Sequence, residues 1–133
     1  MTRRIVVNGT FDILHRGHIE LLNYAKSLGD YLLVLIDSDE RVKELKGPER
    51  PINTVIDRKF MLLNLKAVDY VMSFNSAEHL EEMLEIYHAD VMVKGSDYRD
   101  KPIVGAQFCK EIVFVDIVNG YSTTNIIQRI TDR

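Results

Sequence analysis

The chain has 133 residues, 46% of them hydrophobic and 28% charged, with a net charge of −3. That balance is globular, and the length predicts a single domain over residues 1–133 that buries its own core. The negative charge argues against a general nucleic-acid binder, and no apolar run is long enough to cross a bilayer, so neither a nucleic-acid nor a membrane partner is expected.

The N-terminal "MTRRIVV" enters a strand pattern at once and does not read as a signal peptide. Cys109 is the only cysteine, which excludes an internal disulfide, and the cytoplasm is the expected compartment. "RIVVNG" is a compact β-branched run ending at Gly9. A helix follows, with Leu21, Leu22, Ala25 and Leu28 on one face and Gly29 as its stop. "YLLVLI", from Tyr31 to Ile36, does not alternate, as suits a strand buried on both faces. "SDERVKELKG" reads as a short polar helix, and Pro48 and Pro51 mark the next stretch as a loop.

Thr54 and Asp57 form a T-x-x-D helix start, with Ile56, Phe60, Leu63 and Ala67 expected inward. "DYVMSF" is the third strand. A helix from about Ser76 directs Leu80, Met83, Leu84 and Tyr87 inward. "DVMVKG" is the fourth strand, residues 96–110 are the least regular stretch, and "EIVFVDI" is the fifth strand. "GYSTTNIIQRITD" reads as a closing helix capped by Ser122 or Thr123.

Strands alternating with helices predict an α/β chain: one Rossmann-like, doubly wound domain with a five-stranded parallel sheet. Ligands in such sheets bind beyond the carboxyl ends of the strands. Three chemically loaded stretches follow strands directly and are expected on that edge: "GTFDILHRGH", "KGSDY" and "GYSTT". Gly9 allows a sharp turn and close approach of a ligand. The helix start after it offers free N–H groups and a positive dipole end. His15 and His18, three apart, share a helical face, and imidazole donors strengthen as charge develops on a phosphate. The "STT" hydroxyls and N–H groups suit a second phosphate cluster, and Lys46 and Arg50 supply cations from the loop. These parts describe a polyphosphate cradle. It is neither a P-loop nor a G-x-G-x-x-G dinucleotide site.

"GTFDILHRGH" resembles the H-x-G-H signature of the nucleotidyltransferase superfamily, in its cytidylyltransferase-like branch, and "GYSTTNIIQRI" resembles that branch's second signature. "LKGPERPIN", "AVDYVMSF" and "VMVKGSDY" resemble most the adenylyltransferase domain of the bifunctional heptose-phosphate kinase/adenylyltransferase. That domain joins AMP to D-glycero-β-D-manno-heptose 1-phosphate, on the way to ADP-heptose for lipopolysaccharide. Glycerol-3-phosphate cytidylyltransferase shares the two signatures. This chain lacks the arginine which that enzyme carries before its Ser/Thr cluster, and its segment after "KGSDY" is shorter than in the heptose enzymes.

The resemblance implies in-line attack of a sugar-phosphate oxygen on the α-phosphorus of a nucleoside triphosphate, with release of pyrophosphate. The nucleophile is already an anion, so the work is positioning and charge stabilisation. On the resemblance, His15, His18 and Lys46 carry the chemistry, with His18 at the α-phosphate and Lys46 bridging it to the acceptor phosphate. Gly9, Thr10 and Phe11 border the nucleotide; Ser122, Thr123 and Thr124 hold its β- and γ-phosphates; Lys94, Gly95 and Asp97 border the nucleoside. Asp12, Lys46, Arg50 and Arg58 are expected on the acceptor side. Asp12 also reads as a tie within the turn, and Arg58 as an ion-pair partner of Asp57 or Glu49. Mg²⁺ is expected with the triphosphate rather than in a protein cage. A separate kinase is expected to supply the acceptor, and a homodimer is compatible with the branch. ATP with heptose 1-phosphate is the favoured pair, and CTP with a polyol phosphate the alternative. A non-catalytic nucleotide-binding module and a metal site on His15 and His18 are readings of other classes. The first would show damage in the two signatures, and the second needs ligands beyond Asp12.

Overall fold

The computed structural model describes residues 2–116 and 122–133. Five strands form one parallel sheet: β1 (Arg4–Gly9), β2 (Tyr31–Asp37), β3 (Tyr70–Phe74), β4 (Val91–Gly95) and β5 (Glu111–Val115), in the order β3-β2-β1-β4-β5. The helices between and after them are α1 (Arg16–Ser27), α2 (Asp39–Lys46), α3 (Val55–Leu63), α4 (Ala77–Tyr87) and α5 (Thr123–Thr131). This is the Rossmann-like, doubly wound arrangement expected from the alternation of elements. Two short 3-10 turns, Ser96–Tyr98 and Ala106–Phe108, occupy the irregular stretch. Gly120 and Tyr121 of the last motif lie outside the described residues.

The chain steps outward from β1 to β2 to β3 and then returns to the other side of β1, so strand order reverses between β1 and β4. The β1–β2 ladder runs in register from Arg4 and Tyr31 to Gly9 and Ile36. The β1–β4 ladder pairs only Ile5 with Val91 and Val6 with Met92. It stops three residues before Gly9 and Gly95, so the two central strands part toward their carboxyl ends. That is where a doubly wound sheet opens a crevice for a ligand.

Side chains alternate between two cores. Ile5, Val7, Ile36, Val91 and Val93 pack under Leu22 and Ala25 of α1 and Leu62 of α3. Val6, Leu33, Leu35 and Met92 pack under Leu80 and Leu84 of α4, with Ile103 and Phe108 alongside. Ser38, Thr54, Ser76 and Ser122 each accept a backbone N–H at a helix start, at Thr54 and Ser122 as the sequence signals predict.

Helix α3 is rotated from its expected orientation. Ile56 and Phe60 are 76% and 65% exposed, Leu63 is also exposed, and the buried positions are Arg58 and Leu62. Ala67 is buried, but beyond the helix end. The cause is Arg58. Its guanidinium donates to Thr10 O at 2.9 Å, Asn53 O at 3.0 Å and Asp39 Oδ1 at 2.8 Å. Buried carbonyls without donors cost about 1–3 kcal/mol each. Supplying them outweighs burial of the more apolar stripe.

Candidate active site

The turn from β1 into α1 is conformationally demanding. Phe11 and Ile13 both have left-handed backbone angles, φ 53° and 50°, a conformation that costs bulky residues about 1–2 kcal/mol. Several contacts enforce it. The Phe11 ring is buried in the α1-face core. It fills the space where a side chain on Gly9 would stand: a Cβ there would lie 3.0 Å from Phe11 Cε2. Gly9 thus admits the Phe11 ring, and it also lines the cavity described below. Arg58 holds Thr10 O, and Thr123 Oγ1 donates to Asp12 O.

Asp12 is a junction. Its side chain is almost fully buried, with Oδ2 accepting from Ile52 N at 2.6 Å and Oδ1 from Asn53 N at 2.9 Å. Arg50 Nε stands 3.8 Å from Oδ2. Through this one residue the β1–α1 turn, the loop after α2 and the start of α5 are tied together. The sequence suggests a tie within the turn; the Asp12 carboxylate instead ties the turn to the distant loop at Ile52 and Asn53. Arg58 differs from its expected place: fully buried, hydrogen-bonded to three partners and ion-paired with Asp39 rather than Asp57 or Glu49, it holds the turn and the loop and does not line the cavity.

The two histidines cap α1 with their own rings. Gly17 N donates to His15 Nδ1 at 3.1 Å, and His15 N donates to His18 Nδ1 at 3.3 Å. The rings stack with centroids 3.7 Å apart and planes 24° apart. A neutral imidazole that accepts at Nδ1 carries its proton on Nε2. Each ring is thus fixed as an Nε2–H donor. Burial holds His18 neutral, lowering its pKa to about 4, aided by His15 and Lys46 and opposed by Asp12. Burial lowers His15 as well.

These groups open on a cavity of about 750 Å³ at the carboxyl edge of the sheet. The three motif-bearing stretches meet there: Gly9 to Asp12, His15, Gly17 and His18 from the first, Lys94, Gly95 and Asp97 from the second, and Ser122 to Thr124 from the third, with Lys46 and Arg50 from the loop side. Arg58 is the one site residue chosen from the sequence that stays outside. Loss of water lowers the pKa of Lys46, Arg50 lowers it further, and Asp37 and Asp12 act in the other direction. Arg50 Nε and Nη2 are buried without a hydrogen-bond partner among the described residues, which makes this guanidinium ready to take an anion.

Sequence reasoning missed Asp37 and Arg41. Asp37 ends β2, is buried, and accepts from Thr10 Oγ1 at 3.1 Å and Arg41 Nε at 3.0 Å. The strand-end rule that singled out the other stretches applies equally to β2. Asn8 was also missed, although it is a polar break in an otherwise β-branched run. Its buried Oδ1 has no hydrogen-bond partner among the described residues. Among the described residues, no three His, Cys, Asp or Glu side chains converge on a point that could hold a metal ion. Among those residues, too, no helix is long and apolar enough to cross a membrane.

Residues 6–129 match the family model described as cytidylyltransferase-like. The chain belongs to that family. It is 48% identical over 126 residues to the bifunctional protein HldE of Helicobacter hepaticus, covering 95% of this chain and 26% of that protein. It is 47% identical over 128 residues to the bifunctional protein HldE of Nitratiruptor, covering 96% and 28%. The chain thus spans about a quarter of the length of these curated relatives. The solved lipopolysaccharide core biosynthesis protein of Thermoplasma volcanium superposes with a TM-score of 0.72 at 25% identity, covering 90% of this chain and all of that one. Pantothenate synthetase of Thermus thermophilus shares the fold, with a TM-score of 0.64 at 15% identity over 92% of this chain and 60% of that one.

Proposed function

We propose that the chain transfers the nucleoside monophosphate of ATP to heptose 1-phosphate, forming ADP-heptose and pyrophosphate. The observation that carries this reading is the pair of Nδ1-capped, stacked imidazoles at the switch point of the sheet. Two neutral Nε2–H donors, set beside a helix start, suit a phosphate on which negative charge builds in the transition state. The relatives named bifunctional protein HldE and the lipopolysaccharide core biosynthesis protein support the substrate class.

His18 holds the α-phosphate, with His15 beside it. The start of α5, with Ser122, Thr123 and Thr124, takes the β- and γ-phosphates. Lys46 and Arg50 receive the acceptor phosphate, and Lys46 bridges to the α-phosphate as the new bond forms. The acceptor is an anion near neutral pH, so no base is required. The protein's contribution is to align donor and acceptor and to spread charge. Mg²⁺ arrives with the triphosphate as part of the substrate and neutralises charge on its oxygens.

The test is pyrophosphate release from ATP and from CTP with a panel of sugar and polyol phosphates. ATP with heptose 1-phosphate is expected to give the highest kcat/KM. A preference for CTP of tenfold or more, ~1.4 kcal/mol in transition-state terms, would overturn the adenylyl assignment.

A further inference from the structure

The cavity has two sides, separated by the sheet's alternation. Phe11, Val113 and Val115 belong with the α1 face, and α5 begins against the β1–α1 turn through Thr123 and Asp12. Lys94 follows Val93 on β4, and Asn8 follows Val7 on β1. Both therefore point to the α4 face, as do Val6 and Met92 two residues earlier. Asp37, one residue after the α1-face Ile36, points there too. Phe74, Leu80 and Ile103 of the α4-face core line the same part of the cavity.

Three polar groups on that side are set for a ligand. The Asn8 side-chain oxygen is buried and has no hydrogen-bond partner among the described residues, so it is left for a ligand donor to satisfy. Asp37 is oriented by Thr10 and Arg41, and a carboxylate accepts more than two hydrogen bonds. Lys94 makes no hydrogen bond or ion pair with the described residues, and its ammonium rests 4.6 Å from the centre of the Tyr98 ring. Burial lowers its pKa, opposed by Asp37 and Asp97. Acceptors on Asn8 and Asp37 and a donor on Lys94, beside an apolar wall, suit a ligand with many hydroxyls on a carbon ring.

Reaction geometry gives the same side. In-line displacement places the leaving pyrophosphate and the incoming oxygen on opposite sides of the α-phosphorus. If α5 takes the pyrophosphate, the nucleophile enters from the side away from it. Resting on the function proposed above, we infer that the α4-side lobe, with Asn8, Asp37 and Lys94, binds the hydroxylated body of the acceptor sugar, and that Lys94 is a specificity residue for the acceptor rather than for the nucleoside. Gly95, the next residue, carries no side chain and lines the same cavity.

Calorimetric titration tests this without turnover. The wild-type chain and Lys94→Met are titrated first with α,β-methylene ATP, then, saturated with it, with heptose 1-phosphate. The expected result is at least tenfold weaker sugar-phosphate binding by Lys94→Met, with nucleotide binding unchanged within twofold. Glycerol 3-phosphate, which lacks the sugar body, is expected to bind both proteins alike. Weaker nucleotide binding with sugar-phosphate binding intact, or no change in either, would overturn the inference. Pyrophosphate release by the wild type reports separately on the proposed reaction: its absence alongside the expected titrations would count against transfer and leave the lobe assigned.

Discussion

On the α1 side of the cavity, His15, His18, Asp12 and Thr123 are each held by a backbone partner. On the α4 side, Lys94 rests on an aromatic ring and the Asn8 side-chain oxygen has no hydrogen bond among the described residues. On the proposed function, the difference teaches how one cavity divides its tasks. Groups that stabilise developing charge gain from being fixed before the substrate arrives. Groups that choose among acceptors are left for the acceptor to satisfy, so an acceptor lacking the matching hydroxyl leaves them unpaired.

The contrast is broken most severely by removing what holds the α1 side rigid. Arg58→Met strips the donors from Thr10 O and Asn53 O. A destabilisation of about 2–4 kcal/mol is expected in a denaturant melt. Asp39 is partly exposed and rehydrates, which keeps the loss from being larger. A loss below about 0.5 kcal/mol would show that the turn is held by other contacts.

His18→Ala removes a fixed donor and leaves the α4 side intact. Turnover is expected to fall at least ~100-fold, the size of effect seen on losing one preorganised oxyanion donor. The chain is expected to remain folded by circular dichroism, since loss of a helix cap costs about 1 kcal/mol. Near-normal turnover would remove His18 from the chemistry.

Lys46 lies between the two sides. Lys46→Ala is expected to lower kcat by about tenfold or more while raising the nucleotide dissociation constant much less, the pattern of an interaction made in the transition state. A rise in nucleotide KM alone would make it a ground-state binder.

A smaller effect sharpens the comparison through pH. His18 titrates at about 4 in the folded chain and near 6.5 when unfolded. Between those values the unfolded chain takes up a proton that the folded chain refuses. The stability present above pH 6.5 is therefore lost progressively as pH falls toward 4. Nitrogen NMR of the histidines is expected to show His18 as the Nε2–H form at pH 7 and still neutral at pH 5. A midpoint near 6.5 would show that the ring is not desolvated.

The α1 side was largely legible in the sequence because its devices are local. A glycine, two histidines three apart and a hydroxyl before a helix are close in the chain, and their chemistry follows from one turn of backbone. The order of the elements likewise follows from alternating patterns and caps such as Thr54 and Ser122. The α4 side was not legible in the same way. Asn8, Asp37 and Lys94 come from three strands, and only strand order and alternation bring them to one side of the sheet. The face of α3 was misread because apolar periodicity treats an arginine as outward. Here Arg58 is drawn inward by carbonyls on segments far from it in sequence.

The central claim is that the α-phosphorus of the nucleotide is the atom attacked. The most direct measurement follows label from ATP into product with heptose 1-phosphate as acceptor, using α-³²P in one reaction and γ-³²P in the other. Alpha label is expected in the nucleoside diphosphate sugar and gamma label in pyrophosphate. Gamma label in the sugar product, or no label in it from either position, would contradict the account.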